Sequence, residues 1–383
     1  FTVTVTALDA FNNVATSYGG SVHFSTTDAA ATLPANSPLT NGVGSFSVML
    51  RTAGVRTITA TDSVNSALTA SAPVAVAAAP ATHLAVSAPA TATAGAAFSI
   101  TVTAFDAFNN IATGYTGTVH FTSSDAASTL PANSTLTDGS GSFSATLRTS
   151  GTQTITATDT ANTSITGTSN AIAVQPAAAA HFSISAPSAS ASGNAFSFSV
   201  TALDSSNNTV TNYSGTIQFT SSDGAATLPA NSTLTNGTGT FSATLVTAGS
   251  QTITATETTN AAITGTSGAI VVSAPAPSIT ALSASLGLTS GGETVTISGL
   301  NLSGVTSVTF GGVAAVITSG NATSIVVTAP PHAAGPVDVV VTTPGGTATL
   351  PHAFTFVTQI PTLSAWMLML LAAALIIIAI RRV

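Results

Sequence analysis

The sequence predicts an all-β chain of tandem sandwiches built from short strands, followed by one C-terminal apolar helix. Three observations predict it. Apolar residues alternate with serine and threonine at period two, with no helical period before residue 360. One unit recurs three times at a separation of 97 and 98 residues, too long for a solenoid turn and the size of an independently folding domain. The last residues form an uncharged run ending in two arginines.

The repeat is read from Leu33-Pro34-Ala35-Asn36-Ser37, which returns at Leu130 to Ser134 and at Leu228 to Ser232. The same shift aligns Thr57-Ile58-Thr59-Ala60-Thr61 with 154–158 and 252–256, Asp9 with Asp106 and Asp204, and Phe24 with Phe121 and Phe219. The expected domains are therefore 1–79, 80–176 and 177–275, then a different domain over 276–357 and a tail over 358–383. Copy two opens with His83-Leu84-Ala85-Val86-Ser87 and copy three with His181-Phe182-Ser183-Ile184-Ser185. Phe1 aligns with Phe98, so copy one lacks this strand, and the sequence is expected to be a fragment of a longer chain.

Within copy two the buried face is expected to carry Phe98, Ile100, Val102 and Ala104, then Val119 and Phe121, then Phe143, Ala145 and Leu147. Ile155, Ala157, Ile172 and Val174 complete it. Copy three repeats the pattern at Phe196, Phe198, Val200 and Ala202. Turn residues such as Asp138-Gly139-Ser140-Gly141 punctuate the runs. About seven short strands per copy give an immunoglobulin-like β-sandwich without its disulfide or tryptophan.

These residues carry a resemblance. The strand before Asp106-Ala107-Phe108-Asn109-Asn110, then Gly117-Thr118-Val119-His120-Phe121, then Gly151-Thr152-Gln153-Thr154-Ile155-Thr156-Ala157 are similar to bacterial Ig-like repeats of the invasin and filamin kind. That resemblance covers roughly 1–275 and implies spacers or adhesive arms of surface proteins. After the linker Ala274-Pro275-Ala276-Pro277 the signature changes. Ser290-Gly291-Gly292-Glu293-Thr294-Val295, Phe310-Gly311-Gly312, Ala329-Pro330-Pro331 and Val337-Asp338-Val339 through Gly345-Gly346 resemble the IPT/TIG domain, another Ig-like sandwich, over 277–357. The glycine pairs fit tight hairpins.

In the tail, Ile360-Pro361-Thr362-Leu363 and Trp366 precede an apolar run closed by Arg381 and Arg382. The 18 residues from Leu363 to Ile380 would span about 27 Å as a helix, enough for a bilayer core. Trp366 suits an interfacial position, and the arginine pair would act as a cytoplasmic membrane stop. The motif, apolar span and basic end resemble an IPTL-type C-terminal sorting signal. That resemblance implies export, transient inner-membrane anchoring and an exosortase-type processing enzyme as partner.

Composition excludes several function classes. Only 4% of the 383 residues are charged, where about 25% is ordinary. Lysine is absent, and the five arginines are Arg51, Arg56, Arg148, Arg381 and Arg382. A net charge of -7 with so few cations cannot form a nucleic-acid-binding face. Glu293 and Asp338, with no arginine nearby in sequence, exclude a DNA-binding role for the IPT/TIG-like segment. Cysteine is absent, so neither a disulfide framework nor a thiolate site exists.

No catalytic motif stands out, so the expected chain is not an enzyme and holds no cofactor. His23 and His120 are equivalent and lie between inward-facing residues, so they should face solvent; copy three has Gln218 there. His83, His181, His332 and His352 also read as surface residues. Asp9, Asp106 and Asp204 each precede an asparagine pair. These residues could bind calcium weakly or form Asx-turns, and the turn reading is favoured. Asp62, Asp159 and Glu257 recur at a strand end.

The expected function is a non-enzymatic bacterial cell-envelope protein whose modules form a stalk or adhesive arm contacting a surface glycan or protein. Two alternatives stand beside it: the spacer region of a secreted carbohydrate-active enzyme, and a component of an exopolysaccharide or biofilm matrix.

Overall fold

The computed structural model describes residues 1–358, and those residues are strands and turns throughout. Among the described residues no helix is long and apolar enough to cross a membrane. The expected helix and the sorting residues Ile360, Pro361, Thr362, Leu363, Trp366, Arg381 and Arg382 lie outside the described residues. The chain divides into two compact units. One comprises Phe1–Ala180 with Leu203–Asn212, and the other comprises His181–Ala202 with the chain from Tyr213 onward.

Copy two shows how the alternating pattern becomes a sandwich. Ala97–Phe105 lies between His83–Ser87 and Ser140–Thr146, antiparallel to both. The facing sheet runs in the order Ser134–Thr135, Thr118–Ser123, Ile155–Asp159, Thr166–Thr168. A third ladder joins Gly151–Gln153 to Ile172–Gln175, with Thr91–Thr93 parallel to the latter. The copy holds ten strands rather than about seven. The difference comes from very short ladders and from runs that leave one sheet and join another. At one such corner the Ser169 hydroxyl oxygen accepts the Ile155 N–H at 3.1 Å, which satisfies a buried donor where the ladder breaks.

The inward positions are those the alternation gives. Val102, Ala104, Val119, Leu147, Ile155, Ala157 and Ile172 are fully buried, while Phe143 is half-buried. Phe121 packs on Phe143 at 5.0 Å, and the equivalent pairs Phe24–Phe46 and Phe219–Phe241 both lie at 4.8 Å. The hairpins at Asn41-Gly42, Asp138-Gly139 and Asn236-Gly237 all have positive φ at both residues, the type I′ geometry that suits strand twist.

Copy one departs from this plan. Thr2–Thr6 pairs only with Val43–Ser47. Thr69–Val76 is one continuous strand along Gly54–Asp62, where the later copies divide the same run between two ladders. Val5, Ala7 and Ala60 are consequently only half-buried, whereas Val102, Ala104 and Ala157 are inaccessible.

The segment from Ser278 forms a four-stranded sheet facing a five-stranded one. Its core packs Phe310 edge-to-face on Phe354 at 4.9 Å and Phe354 edge-to-face on Phe356 at 5.0 Å. The Gly311-Gly312 hairpin has φ of 57° and 83°, as its glycines predict. The linker before it is held: the Asn301 side chain donates to Ala276 O at 2.9 Å.

Candidate functional site: a clasp between repeats

The aspartate–asparagine loops meet the preceding repeat, and the site is built from them. After strand Ala97–Phe105 the chain turns through Asp106–Asn110. Asp106 Oδ1 accepts the N–H groups of Phe108 at 2.8 Å and Asn110 at 2.9 Å. This is an Asx-turn, and the backbone closes it with Asp106 N–H donating to Asn110 O at 2.9 Å. Asn109 takes the left-handed conformation at φ 61°, which asparagine tolerates better than most residues. The second carboxylate oxygen accepts from Ala79 N, in the linker, and from Asn110 Nδ2, both at 2.9 Å.

Asn110 then reaches across the junction. Its Nδ2 donates to Arg51 O at 2.7 Å, and its Oδ1 accepts the Ala53 N–H at 2.8 Å. One amide side chain thus replaces a pair of ladder bonds between two repeats. The Phe108 ring lies 5.7 Å from the Arg51 guanidinium carbon, a cation–π contact across the same junction.

The next junction repeats the arrangement. Asn208 Nδ2 donates to Arg148 O at 2.7 Å, and Asn208 Oδ1 accepts from Ser150 N at 2.7 Å. Ala177 N donates to Asp204 Oδ2 at 3.0 Å, and Asn207 has φ 65°. Ser206 stands where copy two has Phe108, so the aromatic contact is absent and the hydrogen-bonded part remains. Copy one carries the same folded loop, with Asp9 Oδ1 accepting from Phe11 and Asn13 and with Asn12 at φ 67°, but its residues are exposed.

The receiving loop is also preorganised. Asp28 is buried and accepts four hydrogen bonds: from Arg51 N at 2.6 Å, Thr52 N at 3.0 Å, Thr52 Oγ1 at 2.6 Å and Ala30 N at 3.0 Å. Asp125 holds Arg148 and Thr149 in the same way, and Asp223 holds Val246 and Thr247. Asp28 and Asp125 thus fix the strand ends on which Asn110 and Asn208 dock. The sequence reasoning missed them. The signal was present: Asp28, Asp125 and Asp223 keep the repeat spacing, and each has a threonine 24 residues on.

The electrostatics follow from these bonds. Burial opposes ionisation of Asp106, but the Asn110 side chain and the N–H groups of Asn110, Ala79 and Phe108 outweigh it and bring the carboxyl to about 2. Burial likewise opposes ionisation of Asp28, and the hydroxyl and N–H of Thr52 with the N–H groups of Arg51 and Ala30 hold it well below the usual carboxylate range. The oxygens of Asp106 already accept four N–H donors, so the turn geometry occupies the lone pairs that calcium would need.

The other expected site residues fall elsewhere. His23 Nδ1 lies 2.9 Å from Asn36 Oδ1, and His120 Nδ1 lies 2.8 Å from Asn133 Oδ1, on the exposed face. The Leu-Pro-Ala-Asn-Ser segment is thus a loop whose asparagine meets that histidine in two copies. His83 stacks half-buried on Phe105, and His332 stacks on Phe356. Exposed His352 lies 3.7 Å from Asp338. Tyr18 donates to Asp62, and Tyr115 to Asp159 at 2.5 Å. Among the described residues no three histidine, aspartate or glutamate side chains cluster as metal ligands.

All three arginines of the described residues are turned onto backbone. Arg51 Nη1 donates to Ala30 O at 2.6 Å, Arg148 Nη1 to Ala127 O at 2.8 Å, and Arg56 Nη2 to Ala53 O at 2.6 Å. Their guanidinium groups brace the loops that receive the clasp.

No curated protein matches the chain. Among solved structures, the adhesin FdeC of Escherichia coli is similar at 17% identity and a TM-score of 0.41, over 72% of this chain and 99% of that one. Invasin, a bacterial integrin-binding protein, is similar at 17% identity and a TM-score of 0.41, over 93% and 75%. The Yersinia pseudotuberculosis adhesin InvE is similar at 20% identity and a TM-score of 0.26, over 50% and 58%. Likenesses of this extent carry no statement about ligands. Residues 277–356 match the family model of the IPT/TIG domain, which identifies the fourth sandwich.

Proposed function

We propose that this chain is the arm of a bacterial cell-envelope protein, a non-enzymatic series of Ig-like modules whose task is to hold a shape. The clasp carries the reading. The same atoms join at two successive junctions, with matching bonds within 0.1 Å of each other. A flexible string of modules needs no such device, because linkers alone tether domains. An arm that presents an adhesive or receptor-contacting end does need it, since each free joint costs ordering entropy on binding.

The rest of the reading concerns where the arm is placed. The Ile360-Pro361-Thr362-Leu363 motif with Trp366, the apolar span and the Arg381-Arg382 end would take the chain to the inner membrane and to an exosortase-type enzyme. The arm would then stand in the envelope, at the surface or outside the cell. A surface glycan or protein is the proposed contact, and nucleic acid is not, because Arg51, Arg56 and Arg148 are spent on backbone carbonyls.

Fractionation of a tagged chain in producing cells with and without the exosortase-type enzyme tests the placement. The expected result is a shorter, protease-accessible surface form only when the enzyme is present. A chain that stays unchanged in the inner membrane in both strains refutes it.

A further inference from the structure

The fourth sandwich carries an open hollow of about 440 Å³ beside its Gly311-Gly312 hairpin. Thr309, Gly311, His332, Val337, Asp338 and Val340 contribute to its walls. They come from strands Ser307–Phe310 and Gly335–Thr343, the hairpin after the first, and the loop that carries His332. Two of these residues bring hydrogen-bond acceptors that the fold itself does not use up.

The first is Asp338. Strands Gly335–Thr343 and Gly346–Val357 slip register beside it: Val337 pairs with Phe354 but Val339 with Leu350, so residues 351–353 bulge opposite Asp338. His352 holds the bulge at φ 52°, and its N–H donates to Asp338 Oδ1 at 2.8 Å. That bond fixes the carboxylate and leaves Oδ2 without a donor among the described residues, with the side chain 48% exposed. The aspartates of the clasp differ, because Asp28 and Asp106 each accept four donors. No lysine or arginine occurs from residue 149 to residue 380, so none of that stretch pairs with Asp338.

The second is His332. Its Nδ1 lies 2.9 Å from Ala333 O, and a carbonyl oxygen only accepts, so Nδ1 carries the proton. In the neutral ring Nε2 is then a bare acceptor. The ring is steadied by stacking on Phe356 at 5.1 Å. A Cβ on Gly311 would lie 2.5 Å from Nε2, so the bare glycine keeps that nitrogen uncovered.

We propose that this hollow binds a neutral saccharide, whose hydroxyl groups donate to Asp338 Oδ2 and His332 Nε2. The inference rests on the glycan contact proposed above and gives that contact a place. Acceptors call for donors, and a phosphate or carboxylate ligand would meet Asp338 with like charge. A metal ion lacks ligands, since no three histidine, aspartate or glutamate side chains cluster among the described residues. An ammonium group matches the carboxylate, but it is strongly hydrated and gains nothing from Val337, Val340 and Pro336. The C–H face of a sugar ring lies against such a wall while its hydroxyls reach the two acceptors.

The test is a titration of the isotopically labelled full chain with cellopentaose, maltopentaose and mannopentaose, read from amide chemical shifts. Saturable shifts confined to residues 309–312 and 332–340 are expected with at least one of the three. Asp338→Asn keeps an acceptor for the His352 N–H, and His332→Phe keeps a ring on Phe356. Each should weaken binding about tenfold or more with an unchanged thermal midpoint. No saturable shift with any of the three overturns the proposal, and so does binding that survives both substitutions. Butylammonium shifting the same amides as strongly also overturns it, because an ammonium-bearing protein would then be the ligand. Saturable shifts confined to other amides overturn this site but leave the glycan contact standing. None of these results bears on the arm or its placement, which the clasp and the fractionation decide.

Discussion

An Asn110→Ala chain tests the clasp directly. The change removes the donor to Arg51 O and the acceptor for Ala53 N–H, the two bonds that cross the junction. It also removes one of two donors to Asp106 Oδ2, but that bond lies within copy two. A neutral hydrogen bond contributes about 0.5–1.5 kcal/mol net. Two of them at a half-buried junction, where water replaces part of what is lost, amount to about 1–2 kcal/mol, or a fall of about 5–30-fold in the ratio of closed to open junctions. The chain has no cysteine, so labels introduced at Val64→Cys and Ser142→Cys are the sole reactive thiols. Both positions are exposed. Double electron–electron resonance between them should give a narrow distance distribution in the parent and a broad one in the Asn110→Ala chain. Exchange of the Ala53 amide should quicken in step. Asn133→Ala, which removes only the exposed partner of His120, should leave the distribution narrow. An unchanged width together with unchanged Ala53 exchange in Asn110→Ala refutes the idea that this side chain holds the junction.

Further outcomes follow from the same geometry. Asp125→Ala strips the acceptor from Arg148 N, Thr149 N and the Thr149 hydroxyl, and should destabilise copy two by about 2–4 kcal/mol in urea unfolding. Acid should loosen the fold in a defined window. The carboxyls of Asp28, Asp106, Asp125, Asp204 and Asp223 are all depressed in the folded state. Their contribution is therefore complete above the unfolded value of about 3.9 and is lost as the pH falls from there through their depressed folded values, so thermal midpoints should be flat from about pH 5 upward and drop steeply below about 4. Gly167→Ala places a methyl against Leu84 O and should destabilise copy two by about 1–3 kcal/mol, with exchange quickening first in His83–Ser87.

The sequence made the sandwiches legible because threonine and serine alternate so strictly with valine, isoleucine and phenylalanine that only one face of each strand can be buried. Val102, Val119, Ile155 and Ile172 follow from that pattern alone. The turn glycines were legible for the same reason, since Asp138-Gly139 between two alternating runs has one favourable hairpin geometry. The split strands were not. Nothing in Gly151–Asp159 marks the residue at which the run changes sheets, because that is decided by which neighbour covers it, and the equivalent run in copy one is a single strand, Gly54–Asp62. The clasp was half legible. Asp106 and Asn110 signalled an Asx-turn by spacing, but their targets are backbone atoms of Arg51 and Ala53, and a backbone carbonyl carries no residue-specific signal. Asp28, Asp125 and Asp223 went unread for a related reason: most of their donors are main-chain N–H groups.

That reliance on backbone explains which positions of the junction vary between copies. Arg51 meets Phe108, whereas Arg148 faces a loop with Ser206 in the same place, and both junctions keep the amide pair at 2.7–2.8 Å. The aromatic contact is thus an addition to the clasp and not its foundation. An exposed cation–π pair contributes about 0.5–1 kcal/mol, less than the two hydrogen bonds together. Phe108→Ser, which gives the first junction the chemistry of the second, should slow neither folding nor docking and should leave the Val64–Ser142 distance distribution narrow. Asn208→Ala in the second junction should quicken exchange of the Ser150 amide as Asn110→Ala does for Ala53. If Phe108→Ser opens the first junction as far as Asn110→Ala, the aromatic residue is needed there and the asparagine bonds alone do not hold that junction.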